Sequence, residues 1–250
     1  VFTLARNELY RLFLSPLAWV ILALSQLILA YLFLTHIDYF IQIQPKISAI
    51  PGAPGVTELI AMPLLSNTAT ILLLLAPLIT MRLIAEDRRN DSLPLLLSAP
   101  LSIHQIVLGK YLGTVSFFII LLLLISLMPL SLALGSDLDF GLLAAGLLGL
   151  CLLVASFTAI GLYLSSLTKQ PAIAAISTFS CLFLLWIIDW AGSTQMASES
   201  SGLFSWLSSL RHFEPLLQGE VNTSDIAYYL IIITAFLALT IRRLDSERLN

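Results

Sequence analysis

The chain has 250 residues, of which 58% are hydrophobic and 11% charged, with a mean hydropathy of +0.97, whereas soluble domains are about half apolar and about a quarter charged. That balance excludes an ordinary soluble enzyme or binding module and defines an integral membrane protein. The net charge of -3 lies in short clusters with no basic stripe, which speaks against a nucleic-acid partner.

The first element, FTLARNELYRLFLSPLAW, mixes Arg6, Glu8 and Arg11 with Leu4, Leu9, Leu12 and Phe13. This predicts a helix lying in the cytoplasmic interface before Pro16 starts the first span, in preference to a plain cytoplasmic extension of that span. No basic n-region or small-residue cleavage site precedes the first apolar run, so it is read as a retained span and not a signal peptide. A bilayer core about 30 Å thick needs about 20 apolar helical residues, and the charge-free stretches predict six spans in one transmembrane domain covering 1–250. They fall at about 14–35, 61–83, 106–134, 140–166, 171–190 and 225–242. The fold class is therefore an all-α integral membrane protein.

Between the first two spans, His36 to Glu58 carries Pro45, Pro51, Gly52, Pro54 and Gly55, which predicts an irregular outer loop. Pro77 and Pro129 are expected to kink or break spans two and three. The polar span residues Gln26, Asn67, Thr68, Thr70, Thr114, Ser116, Thr158, Ser177, Thr178 and Ser180 are expected mostly to hydrogen-bond between helices, a minority lining a path. GLLAAGLLG at 141–149 places Ala145 and Gly149 four apart, continued by Ala155, Ala159 and Gly161. These small residues fit close helix packing within the chain or at a dimer seam. Cys151 and Cys181 lie in apolar runs and are expected to be free thiols. In the last outer segment LFSWLSSL, at 203–210, fits either a short amphipathic helix on the membrane face or a partly buried loop. Tyr228 and Tyr229 look like interfacial anchors of the last span.

Basic residues are retained on the cytoplasmic side. With both termini inside, ten of the 12 Lys and Arg residues fall on inner segments, and only Lys46 and Arg211 on outer ones. The dense patch EDRRNDSLPLLLSAPLS at 86–102 is then cytoplasmic. Asp91 or Ser92 can cap a short helix, Pro94 suits its first turn, and Leu93, Leu95, Leu96 and Leu97 give it an apolar face before Pro100 breaks the chain. Ser102 with Gln105 matches a capping box at the start of the third span. This predicts a short amphipathic cytoplasmic helix held between spans two and three.

Catalytic constellations are missing from the sequence. HExxH and GxSxG do not occur, and His36, His104 and His212 are scattered. His36 and His212, with Asp38 or Asp189, are the only candidate metal grouping, and single polar residues at span ends more commonly meet headgroups; no metal site is expected. Gly109 and Lys110 lack the upstream glycine of a phosphate loop, so this chain is expected to be no enzyme. Spans with almost no ionisable groups disfavour an ion-coupled secondary carrier.

The patch resembles that of the ABC-2 type permease family. Glu86, Arg88, Arg89, Ser92, Leu93, Leu95, Leu96, Leu97, Pro100, Gly109 and Lys110 occupy the places of that family's pattern, while Asp91 stands where Gly is common and Pro94 where Glu is common. NELYRLFLSPLAW resembles the family's elbow, LYLSSLTKQP its loop between spans four and five, and HFEPLLQGEVNTSDIAYYL its last outer segment. The phrases around Ser15–Pro16 and Gly219 to Asp225 are most similar to the gliding-motility (GldF-type) and nitrous-oxide-accessory (NosY-type) branch.

The resemblance implies a permease subunit of an ATP-binding cassette exporter in the bacterial cytoplasmic (inner) membrane. It pairs with a second permease, identical or related, and with separate ABC ATPase subunits that hold ATP and Mg, so this chain binds no cofactor itself. Coupling residues implied are Glu86, Arg88, Arg89, Asp91, Ser92, Leu93, Leu95, Leu96, Leu97 and Pro100, with a second contact at Thr168, Lys169 and Gln170. The branch also implies a periplasmic GldG-like subunit, and with it a second reading: a non-transporting membrane subunit of an ATP-driven envelope or gliding-motility-like machine. Greasy spans with few charges are compatible with lipids, glycans, peptides or hydrophobic drugs as cargo.

Overall fold

A computed structural model describes residues 1–47, 54–92, 101–192 and 206–248, without the side chains of 47 and 189–192. The coupling-helix residues Leu93 to Pro100, and Leu203 and Phe204 of the outer segment, lie outside the described residues. Among the described residues, six helical segments are long and apolar enough to cross a bilayer, and the molecule is an all-α membrane bundle.

Helix α1, Phe2–Leu14, is a separate element. Ser15 leaves the helical region at φ -80, ψ 128, and Pro16, at home in a first helical turn, opens α2, Pro16–Ile47. The helix continues past Thr35, so the expected irregular outer loop is corrected: residues 36–47 are helical. The physical reason is that His36, Asp38 and Gln42 do not oppose a helix, and Gln42 donates back to Asp38 at 2.9 Å. Pro45 sits within this helix, where it deletes one backbone bond.

A π-helical turn, Thr57–Ala61, leads into α3, Met62–Thr80. Turn residues 81–84 and the short α4, Ala85–Arg89, follow. Then come α5, Ile103–Ser131, and α6, Phe140–Leu167. Pro77 and Pro129 do not break these helices in mid-span. Each lies in the last turn of its helix, deletes one backbone bond, and is followed by the helix end within a few residues. The Ser102–Gln105 capping box is present in both directions. Helix α7 spans Pro171–Gly192, α8 Ser209–Leu217 and α9 Thr223–Arg248.

Helix α6 is the axis of the bundle, packed against α3, α5, α7, α8 and α9. Its small residues serve contacts within the chain. A Cβ on Gly146 would lie 2.6 Å from a Leu65 methyl, one on Gly149 3.1 Å from Leu216, and one on Gly161 would collide with Thr80. Such absences of a side chain let helices approach closely where no hydrophobic force joins them in lipid. The expectation of hydrogen bonds between helices is corrected too. Thr68, Thr70, Thr114, Ser116, Thr158, Ser177 and Thr178 all donate to carbonyls three or four residues back on their own helices. A hydroxyl surrounded by apolar neighbours takes the nearest acceptor, which is its own preceding turn. Cys151 and Cys181 are free.

At one end of the bundle α8 forms a cap. The helix Ser209–Leu217 overlaps the last two residues of LFSWLSSL, with His212, Phe213 and Leu216 buried, while Trp206 and Leu207 before it are helical and exposed. Tyr228 and Tyr229 are buried beneath it and are not surface anchors; their hydroxyls donate to Leu207 O at 2.7 Å and Ser209 O at 2.9 Å. His212 Nδ1 faces Asp225 Oδ1 at 2.7 Å and Nε2 faces the Trp206 carbonyl at 3.0 Å. Both acceptors are satisfied together when each ring nitrogen carries a proton.

Candidate coupling site at the charged pole

The opposite end gathers most of the ion pairs among the described residues. Gly149, under the cap, and Ser165, at this pole, lie 16 residues apart on α6, about 24 Å along the axis. Ser165 is fully buried and organises the pole: its hydroxyl accepts from the backbone N–H groups of Ile84 and Ala85 at 3.1 and 3.0 Å and donates to Met81 O at 3.0 Å. A helix start leaves its first N–H groups without intrahelical partners; here a side chain from α6 supplies the acceptor and fixes α4 to the axis.

Helix α4 thereby places Asp87 inward, 7% exposed, against Lys110 of α5, 6% exposed. The Lys110 ammonium lies 2.7 Å from Asp87 Oδ2 and 3.4 Å from Glu8 Oε2 of α1. Arg11, half exposed, reaches Asp87 at 3.5 Å and Glu8 at 3.6 Å. Two carboxylates and two cations thus balance in one network that ties the elbow helix, α4 and the start of α5. The elbow can approach because Gly109 and Gly113 flank Lys110 on the α5 surface: a Cβ on Gly113 would stand 2.7 Å from the Ala5 carbonyl oxygen, and one on Gly109 2.6 Å from Leu4 Cβ.

A second link reaches the end of α9. Arg88 Nη2 lies 2.9 and 2.8 Å from the two Glu247 oxygens, and Arg243 lies 3.3 Å from the same carboxylate. Beneath both links runs a small apolar cluster that includes Ile84, Val107, Leu162 and Leu244.

The sequence-predicted residues divide accordingly. Arg88 is engaged inside the chain, while Arg89 and Asp91 are exposed and Glu86 and Ser92 half-buried. Asp91 has φ 53, the left-handed region that favours glycine; this explains physically why Gly suits the place and why Asp is tolerated there. The helix that Asp91 or Ser92 would cap lies outside the described residues, and what is seen of Ser92 is its contact backwards. Its N–H and hydroxyl both bond back to Asp87 O, at 2.9 and 3.1 Å, closing the end of α4. Thr168 and Gln170 form the turn between α6 and α7, with Gln170 N–H on Thr168 Oγ1 at 3.1 Å. An open cleft of about 530 Å³ is lined by Arg88, Arg89, Asp91, Lys169, Gln170, Pro171 and Ala172, so residues of both predicted contacts meet in one concavity; Thr168 is not among its lining. Leu93, Leu95, Leu96, Leu97 and Pro100 lie outside the described residues.

Sequence reasoning missed Glu8, Arg11, Asp87, Ser165 and Glu247 as parts of this pole. The available signals were Lys110, a charge opening an apolar helix that needs a counter-ion, and GKYLG, whose two glycines four apart mark a close helix contact. Among the described residues, no group of three or more His, Cys, Asp or Glu side chains could hold a metal ion; His212 is taken up by Asp225.

Among the described residues, six helices long and apolar enough to cross a membrane, a helix that precedes them and a charged pole built around the end of the second span define a polytopic all-α membrane protein. The chain belongs to the ABC-2 family of transporter proteins: the family model described as ABC-2 family transporter protein matches residues 2–249. No curated protein matches the chain.

Proposed function

We propose that this chain is the permease subunit of an ATP-binding cassette exporter and that a separate ATPase subunit docks at the charged pole. The observation that carries this reading is the cleft shared by Arg88, Arg89, Asp91, Lys169 and Gln170, because it joins the two segments that family resemblance assigns to partner contact. The pole is also wired for transmission. A push on α4 acts on α1 and α5 through Asp87 and Lys110, on α9 through Arg88 and Glu247, and on α6 through Ser165. Two such permeases with two ATPases form the working unit, in a bacterial inner membrane with the pole in the cytoplasm. ATP and Mg belong to the partner. The GldF-type and NosY-type branch is our placement within the family, supported by the phrases around Pro16 and Asp225.

The test is purification of the chain from its native membranes in mild detergent. Wild type should bring down ATP hydrolysis, and Arg89→Glu combined with Lys169→Glu should lose it without a fall in melting temperature, since both side chains are exposed. Leu96→Asp with Leu97→Asp should do the same. Retention of full ATPase activity by both variants would reject the docking site.

A further inference from the structure

On the lipid-facing side of the pole, a second cavity of about 280 Å³ lies between the end of α1, the start of α2 and the end of α3. Leu12, Leu17 and Leu78 form its apolar side, while Glu8, Arg11, Arg82 and Glu86 supply its charged side. Its depth in the membrane is fixed by its surroundings. The helix break at Ser15 marks the start of the first span, and Trp19 beside it is more than half exposed and donates its indole N–H to Phe13 O at 2.8 Å. A tryptophan so placed is typical of the headgroup level. Leu14 and Leu78 of its lining are also exposed, an apolar rim that suits acyl chains.

Two of the charges on the charged side are unspent. Arg82 and Glu86 are half-buried, yet neither has an ion-pair partner among the described residues, although Arg11 beside them is committed to Glu8 and Asp87. A guanidinium presents a fork that matches phosphate oxygens, and a carboxylate accepts from a primary ammonium. One cation in the 81–84 turn and one anion on α4, four residues apart in the chain, with aliphatic walls leading away from them, have the charge order of a zwitterionic phospholipid headgroup.

We infer that this cavity is a binding site for a phosphatidylethanolamine molecule, its phosphate on Arg82 and its ammonium on Glu86. Phosphatidylcholine has no N–H to give Glu86, and phosphatidylglycerol has no cation, so both bind less well. The inference does not depend on ATPase docking.

Native mass spectrometry of the delipidated full chain, titrated with the three lipids at matched acyl composition, tests it. Wild type should retain one phosphatidylethanolamine per chain in preference to the other two. Arg82→Gln should weaken that retention about tenfold or more, the scale of a charged hydrogen-bond pair. Glu86→Gln should abolish the preference over phosphatidylcholine while leaving phosphate-driven retention, and the exposed Arg242→Gln should change nothing. Melting temperatures of the variants, expected to match wild type because neither side chain is paired, show that they are folded. Equal retention of the three lipids, no retention of any, or phosphatidylethanolamine retention unaffected by both substitutions would overturn the inference.

Discussion

Replacing Lys110 by Met should be among the most destabilising single changes at the pole. The ammonium is buried, 2.7 Å from Asp87 and 3.4 Å from Glu8, and methionine fills similar volume without its charge. Two buried carboxylates are then left facing one another, with only the half-exposed Arg11, at 3.5 Å or more, to balance them. Breaking a buried pair by removing one partner costs about 3–5 kcal/mol, whereas an exposed pair is worth about 0.2–1 kcal/mol. Lys110→Met should therefore exceed Arg11→Met by at least about 2 kcal/mol. For a chain of this size about 1 kcal/mol corresponds to roughly 2–4 °C, so Lys110→Met should lower the melting temperature in detergent by roughly 6–20 °C and Arg11→Met by less than about 4 °C. Asp87→Asn added to Lys110→Met should recover part of the loss, because it removes one stranded charge. Equal, small shifts for Lys110→Met and Arg11→Met would refute the reasoning that burial sets the worth of this network.

Other expectations follow from the same geometry. Gly113→Ala drives a methyl into the Ala5 carbonyl and should loosen α1 from α5, read as faster proteolysis at Arg6 and Arg11 with the remainder of the bundle protected. Ser165→Ala strands two buried N–H groups and should cost about 2 kcal/mol or more in stability, while Ser177→Ala, whose hydroxyl only turns back on its own helix, should cost less in the same thermal melt. His212→Ala leaves Asp225 buried without its partner and should destabilise by about 3 kcal/mol or more; the double variant with Asp225→Ala should melt above the single one.

The six spans were legible because a bilayer imposes a length and a composition on each one, and a run such as 140–167 has no charge to interrupt it. The elbow was legible through Pro16, and the capping box through Ser102 and Gln105, since both are local rules. What was not legible depended on distant partners. Nothing within ten residues of Asp87 shows that it faces a lysine from the next helix, and Ser165 reads as an ordinary span serine until α4 is seen to start on it. Tyr228 and Tyr229 misled for the same reason: tyrosines at a span end fit a lipid interface equally well, and burial under α8 is decided by His212, Phe213 and Leu216. The polar span residues turned inward to their own helices because i−4 carbonyls are always within reach, whereas a partner helix must present an acceptor at the right height.

The most direct test of the account is site-directed cross-linking in native membranes, with a photo-reactive side chain at position 89, at position 169, or at position 207 in the cap at the far end of the bundle. Positions 89 and 169 should each trap the same polypeptide, one that hydrolyses ATP, and position 207 should trap none of it. Trapping of that subunit from position 207, or from neither 89 nor 169, would contradict docking at the charged pole.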